Sequence, residues 1–350
     1  MPTSSVTNRD EPAAPTRDGG LVRVRLDLGY DGTAFSGWAV QAGRRTVQGV
    51  VQSALERITR LARIQLTVAG RTDAGVHATG QVAHADLPTA TWSELATTLL
   101  RRLAGVLPPD VRVSRIAPVP SDFDARFSAL WRRYVYRVDD AESGVNPLRR
   151  HAVLGWRRPL DVGAMARSAE CLLGEHNFAA FCRPRIGSST VRTLQSLDVR
   201  REDCGEVSCT AQADAFCHSM VRSLVGALLA VGDGRRPPEW VNTLLDRTSR
   251  TDEIAVAAAH GLTLVVVGYP PPAQVAGVLY NAIFLDQLDS DALHMQQIND
   301  VVARLPERQR DRFRSRPSRF CARTGGYSPP QERFRHRGPW LQWGRGAPPD

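Results

Sequence analysis

Gly70-Arg71-Thr72-Asp73-Ala74-Gly75-Val76-His77-Ala78 sits between two stretches of alternating character. Ile64, Leu66 and Val68 precede it, and 81–86 follow. Period-2 alternation is the pattern of a half-buried strand, so the segment reads as a glycine-flanked loop joining two strands. Such a loop can present a side chain to a cleft from a rigid base, and here the side chain is the Asp73 carboxylate. The same composition suits a tight turn in which the aspartate bonds only its own backbone. On loop composition alone, the turn is the heavier of the two meanings.

Outward from this loop, 21–28 alternates Leu21, Arg23 and Arg25 against Val22, Val24 and Leu26, a further strand. The turn Tyr30-Asp31-Gly32-Thr33 and the aromatics Phe35 and Trp38 come next. Thr46 is placed as the N-cap of a helix carrying Val47, Val50, Val51, Leu55, Ile58 and Leu61 at helical spacing. The stretch 92–107 predicts one helix, stopped by Pro108-Pro109. These elements make a first lobe over 21–120. A second lobe, 121–270, carries predicted strands at 135–138, 207–215 and 262–269 and helices at 162–173 and 220–231. In the last helix Val221, Leu224, Val225 and Leu228 face a core. Strands and helices alternate over short connections, so the class is α+β in two related-looking lobes. The polar residues 1–20 and the Arg/Pro/Gly-rich extension 271–350 are expected to be largely disordered, apart from an amphipathic helix through Ile298, Val301, Val302 and Leu305.

Charge and composition narrow the function classes. Lys+Arg total 45 against 36 Asp+Glu, a net charge of +9, and every one of those cations is arginine. A basic balance favours polyanions, and guanidinium groups suit bidentate phosphate contacts and base stacking. A GC-rich genome gives the same bias, so charge by itself adds little weight to nucleic-acid binding. No apolar run is long enough to cross a bilayer. The first residues lack the apolar stretch of a secretory signal, and the expected location is the cytoplasm. The six cysteines form no CxxC pair and read as reduced thiols, with Cys204, Cys209, Cys217 and His218 set aside as a zinc set. No metal and no cofactor is expected. Gly70, Gly75 and Gly80 open no helix and make no dinucleotide fingerprint. His77 and His84 read as satisfied loop and strand histidines rather than general bases.

Four segments in order carry a resemblance. Beside the Asp73 loop stand Leu28-Gly29-Tyr30-Asp31-Gly32-Thr33 with Phe35, Gly37 and Trp38; Asp122-Phe123-Asp124-Ala125-Arg126-Phe127-Ser128 with Arg132-Arg133-Tyr134-Val135-Tyr136; and Ala215-Phe216-Cys217-His218-Ser219-Met220-Val221-Arg222. Together these resemble the TruA-type tRNA pseudouridine synthases, in an actinobacterial-like form, over about 21–270. Asp124 departs locally, at a position where histidine is common in that family. The resemblance implies a pseudouridine synthase fold, two α/β lobes with mixed or antiparallel sheets meeting at a central cleft. It also implies a cofactor-free homodimer acting on the anticodon arm of tRNA, at the uridines just 3′ of the anticodon. By position it assigns Asp73 as nucleophile, with Arg71, Tyr134 and Arg222 in the catalytic set. Tyr134, Tyr136, Arg132, Arg133 and His218 fall on the substrate side.

These residue types suit the reaction. Isomerising uridine breaks an N-glycosidic bond, turns the uracil and rejoins it through carbon, with no redox change. One carboxylate nucleophile can divide that task into easier covalent steps, at either the ribose anomeric carbon or the uracil ring. Burial disfavours a carboxylate's charge and a neighbouring guanidinium favours it, so Arg222 reads as holding a buried Asp73 charged and oriented. Tyr134 offers a ring for the displaced base and a hydroxyl for proton handling. Two rivals stay open. One is a non-catalytic RNA-binding or chaperone protein on the same fold. The other is a nucleotide-processing enzyme that holds phosphate on the Gly70–Gly75 loop.

Overall fold

The computed structural model describes residues 20–183 and 189–270. The expectations for the amino terminus ahead of Gly20 and for 271–350, including the helix through Ile298, fall outside the described residues. The first strand, β1 (Leu21–Tyr30), follows its alternation, burying Val24, Leu26, Leu28 and Tyr30. Thr46 caps α1 (Val47–Thr59), its Oγ1 accepting the Gly49 N–H at 3.3 Å.

The next strand differs from its expectation. Ile64 and Leu66 are buried, as the alternation requires, yet only Thr67 and Val68 pair with a neighbour, as β2 (Thr67–Val68). Side chains of α1 take the place of a ladder. Gln48 and Gln52 donate to the carbonyls of Leu66 and Ile64, and Glu56 accepts the Ile64 N–H at 3.0 Å. Beyond the Asp73 loop, β3 (His77–Pro88) is longer than the predicted 81–86.

The single helix predicted over 92–107 is two, α2 (Thr89–Leu95) and α3 (Leu99–Val106). At the break, the N–H and hydroxyl of Thr98 both turn back to the Leu95 carbonyl, the local competition with helical bonding that threonine brings. After α3 runs β4 (Val111–Pro118), an unpredicted strand with Val111 and Val113 buried and Arg112 and Ser114 exposed.

The second half holds β5 (Trp131–Asp139), β6 (Leu154–Gly155), α4 (Val162–Glu170), β7 (Gly174–Asn177), β8 (Val191–Arg201), β9 (Val207–Ala213), α5 (Met220–Gly232), α6 (Trp240–Thr243) and β10 (Leu262–Gly268). The register of β8 on β9 shifts between Leu194 and Ser196. An irregularity of that kind breaks period-2 alternation, and this strand was not predicted either.

Among the described residues ten strands form one mixed sheet in the order β4-β1-β3-β10-β5-β9-β8-β7, with β2 on β3 and β6 on β5. β10, the last strand among the described residues, is inserted at the centre. β10 runs parallel to β3, pairing Thr263 with His77 and Leu264 with Ala78, and antiparallel to β5, pairing Leu264 with Tyr134. The stretches 21–120 and 121–270 thereby share one sheet. The start of β3, the middle of β5 and the segment leading into β10 lie side by side.

Candidate active site

The Asp73 loop rests on a buried polar floor. Gln81 of β3 donates from Nε2 to the Gly70 carbonyl at 2.9 Å and to the Tyr30 hydroxyl at 3.2 Å. The Tyr30 and Thr72 hydroxyls are also hydrogen-bonded to each other, 2.7 Å apart, with either oxygen able to donate. Burial pushes the Tyr30 pKa up to about 12, so the phenol stays protonated at neutral pH. Trp38 N–H donates to the Thr72 carbonyl at 3.0 Å, and Val76 N–H turns back to the Asp73 carbonyl at 3.2 Å. Gly75 takes φ 80°, where only glycine is unstrained.

The main chain therefore does make a turn, but the carboxylate takes no part in it. Among the described residues its partners all come from the start of α5. Arg222 Nη1 and Ser219 Oγ each stand 3.4 Å from Asp73 Oδ2, and His218 Nε2 stands 3.4 Å from Oδ1. The carboxylate lies at the amino end of α5, the favourable end of the helix dipole for an anion. These contacts are long for hydrogen bonds. The Asp73 side chain is 30% exposed here, whereas its expected burial is that beneath a flipped uridine.

Arg222 is itself held. Its Nε donates to the Ala257 carbonyl at 2.7 Å, and its own carbonyl accepts the Ala257 N–H at 3.1 Å. Tyr136 braces the same stretch, its buried hydroxyl donating to the Ala258 carbonyl at 2.7 Å. Two residues along the same face of β5, Tyr134 is 8% exposed, and its ring meets Phe216 edge-on at 5.2 Å. Its hydroxyl makes no hydrogen bond with any described residue. Burial raises the Tyr134 pKa, Tyr30 and Asp73 push the same way, and Arg132 opposes them. The phenol therefore stays protonated at neutral pH.

A carboxylate paired with a guanidinium thus lies near the centre of the sheet, where a buried tyrosine of β5 also sits. The family profile described as tRNA pseudouridine synthase matches residues 29–128 and 169–270. The chain belongs to the tRNA pseudouridine synthase family. It is 61% identical over 257 residues to a tRNA pseudouridine synthase A of Frankia casuarinae, covering 73% of this chain and 93% of that one. It is 58% identical over 259 residues to one of Streptomyces griseus (73% and 91% covered), and 50% identical over 266 residues to one of Mycobacterium leprae (73% and 92%). The family is one of isomerases. Asp73, His218, Ser219 and Arg222 lie within the matched stretches. Tyr134 and Tyr136 lie between the matched stretches.

The remaining expected residues are placed differently. Arg71 projects from the Asp73 loop, exposed and with no hydrogen-bond or ion-pair partner among the described residues. Arg133 points to the face of β5 opposite Tyr134, where it packs over Trp131 at 5.1 Å and donates to Gln212. Arg132 shares the Tyr134 face, but both terminal nitrogens are bonded to main-chain carbonyls. His77 Nδ1 accepts the Gly32 N–H at 3.0 Å, leaving Nε2–H for the His260 carbonyl. Asp124, the local departure, accepts the N–H groups of Arg126 and Phe127 at 2.7 and 2.9 Å, so an aspartate satisfies that turn. Ser219 and Phe216 are the site residues that sequence reasoning missed. A serine directly before an apolar helix is an N-cap signal and was available for the first.

Proposed function

We propose that this synthase isomerises a uridine of the tRNA anticodon stem-loop, just 3′ of the anticodon, by covalent catalysis through Asp73. The observation that carries the reading is the Asp73 carboxylate, free of its own loop and held between Arg222, Ser219 and His218 at 3.4 Å each. In the lobe description, Asp73 comes from the first lobe, 21–120. Its partners and Tyr134 come from the second, 121–270.

In the reaction the N1–C1′ bond breaks and a C5–C1′ bond forms. N1 takes up a proton and C5 loses one, so composition is unchanged and no electron is exchanged. Asp73 attacks the nucleoside; bonded to the ribose it is displaced as the carbon–carbon bond closes, and bonded to the ring it is eliminated as C5 loses its proton. Arg222 keeps the carboxylate aimed. A base leaving its stack costs a few kcal/mol, and stacking on an aromatic ring such as Tyr134 returns about 1–3 kcal/mol. The protonated Tyr134 hydroxyl, unbonded to described residues, suits proton handling at the turned base. Exposed Arg71 suits a phosphate contact. The family resemblance further supports a cytoplasmic homodimer gripping one tRNA with both subunits, which mass measurement of the free protein and of its tRNA complex checks.

The deciding experiment incubates the purified chain with unmodified tRNA and maps pseudouridine by position. Asp73→Ala and Asp73→Asn are expected to lose activity by a factor on the order of 10⁴ or more while still binding tRNA. Product that persists in Asp73→Ala overturns the nucleophile. Product at other positions overturns the anticodon-arm assignment.

A further inference from the structure

Among the described residues Arg132 is an arginine without a carboxylate partner. In place of a carboxylate or open solvent, its guanidinium meets four carbonyl oxygens. Nη1 donates to Asp214 at 2.7 Å and to Ala129 at 3.2 Å; Nη2 donates to Ala69 at 3.0 Å and to Arg126 at 2.6 Å. Loss of solvent is the largest influence on the group and pulls its pKa below the ordinary arginine value. A guanidinium keeps its charge under such conditions and presents its donors in one rigid plane.

The position of the four carbonyls gives the arrangement its meaning. Ala69 is the last residue before Gly70, four positions ahead of Asp73. Asp214 follows β9, four positions ahead of His218 and five ahead of Ser219. Arg126 and Ala129 belong to the turn that Asp124 caps, just before β5. The base of the nucleophile loop and the base of the segment that delivers its partners are therefore bonded to opposite nitrogens of one rigid plane. Each is also fixed from behind. Ala69 N–H donates to the Val82 carbonyl at 2.9 Å, and the Asp214 carboxylate accepts the N–H groups of Thr193 and Ala215. A fourth carbonyl-bearing segment is not required to relay the geometry: Tyr134 stands two residues further along the same strand face as Arg132.

We infer that Arg132 is a positioning residue that sets the separation between the Asp73 loop and the His218–Ser219 segment, and that it makes no phosphate contact with RNA. The inference rests on Asp73 being the nucleophile. Lysine concentrates its charge at one atom and cannot span carbonyls on both sides, so Arg132→Lys should behave as a loss of geometry with the charge retained. Displacement of reacting groups by about 1 Å costs on the order of 10²-fold in rate.

The test compares Arg132→Lys and Arg132→Gln with the unaltered chain, Asp73 intact in all three. It measures single-turnover rate, tRNA affinity against salt, and amide hydrogen exchange. Expected for both variants is a rate loss on the order of 10²-fold, affinity within about threefold, and an unchanged salt slope. Exchange of the Gly75 and Val76 amides should accelerate while that of α4 does not. A phosphate-binding arginine gives the opposite pattern. Arg132→Gln would then lose affinity, its salt slope would fall by ~0.7–0.9, the bound rate would hold, and Arg132→Lys would rescue it. That result overturns the inference. So does a failure of both variants to fold, which would make Arg132 a general stability element. Because Asp73→Ala is read separately, a wrong nucleophile and a wrong role for Arg132 give distinguishable results.

Discussion

At Ser219 the backbone sits at φ 64°, a left-handed conformation that costs a non-glycine residue about 1–2 kcal/mol. The same residue sets its hydroxyl 3.4 Å from Asp73 Oδ2 at the mouth of α5. Strain kept beside a carboxylate is the kind retained where geometry serves chemistry. Ser219→Gly and Ser219→Ala should therefore separate the two properties. Both lose the hydroxyl and should slow turnover roughly three- to tenfold, the worth of one hydrogen bond of about 0.5–1.5 kcal/mol. Only glycine relieves the strain, so Ser219→Gly should melt above Ser219→Ala; equal melting temperatures would show that the left-handed turn is not strained. Arg222 has two tasks in one side chain, Nε on the Ala257 carbonyl and Nη1 on Asp73. Lysine can perform one of them. Arg222→Lys is expected to lose at least ~10-fold in rate with tRNA affinity nearly unchanged, the loss of about 1.4 kcal/mol specific to the transition state. A pure affinity loss would refute the charge-positioning role.

Among the elements, α5 decides most. Its apolar face packs in the core, with Met220, Val221, Leu224, Val225 and Leu228 buried. At Gly226 it approaches the segment ahead of β10 so closely that an added Cβ would lie 1.9 Å from the Ala255 carbonyl oxygen. Ala255 is two residues from Ala257, the anchor of Arg222. Gly226→Ala must push helix and segment apart, at about 1–3 kcal/mol of stability. It is expected to reduce activity more than that loss explains, measured on the folded fraction at a temperature well below its melting point. A variant that is less stable yet fully active per folded molecule would disconnect the contact from Arg222. Element legibility followed how each backbone group was satisfied. The helix at α1 was readable because cap, period and apolar face agreed. The strand predicted over 64–68 was mostly replaced by side-chain bonds from Gln48, Gln52 and Glu56, which no alternation can reveal. The bulge in β8 hid a real strand in the opposite way.

For the whole molecule, β3 ties the sheet to the turn that leads into β5. His84 of β3 is buried, with Nδ1 accepting the Ala125 N–H at 3.0 Å and the Phe123 ring edge-on at 6.1 Å. Burial is the largest cause lowering its pKa below the ordinary histidine value; Asp124 and Asp86 oppose it, and Arg23 assists. His260 is lowered by burial as well. The folded chain then holds these protons more weakly than the unfolded chain. As pH falls below about 6.5, the unfolded state protonates first, and stability decreases until the folded rings are protonated too. Asp31 and Asp140, also lowered, act in the same direction but at the lower pH of carboxylates. Denaturant unfolding between pH 5 and 7.5 should show the decline, and His84→Gln should flatten it. Equal slopes in the two proteins would remove His84 as its source.

By itself the sequence determined the local features: the capped helix α1, the alternating strand β1, the glycine-bounded loop with Asp73 at its tip, and the apolar helix starting just after Ser219. These depend on periodicity, caps and turn residues, which act over a few positions and are written in neighbouring letters. It also held the four ordered segments through which the family was legible. Tertiary structure decided which of the loop's two meanings holds, because that depends on α5 meeting Asp73 from far along the chain. It decided, too, that three adjacent residues of β5 part company. Arg132 and Tyr134 share a face and Arg133 does not, and of the two arginines Arg132 is drawn into the framework by carbonyls that no motif places beside it. Adjacency in sequence fixes which face of a strand a side chain takes, whereas its partners depend on the insertion of β10 between β3 and β5, a contact between segments far apart along the chain.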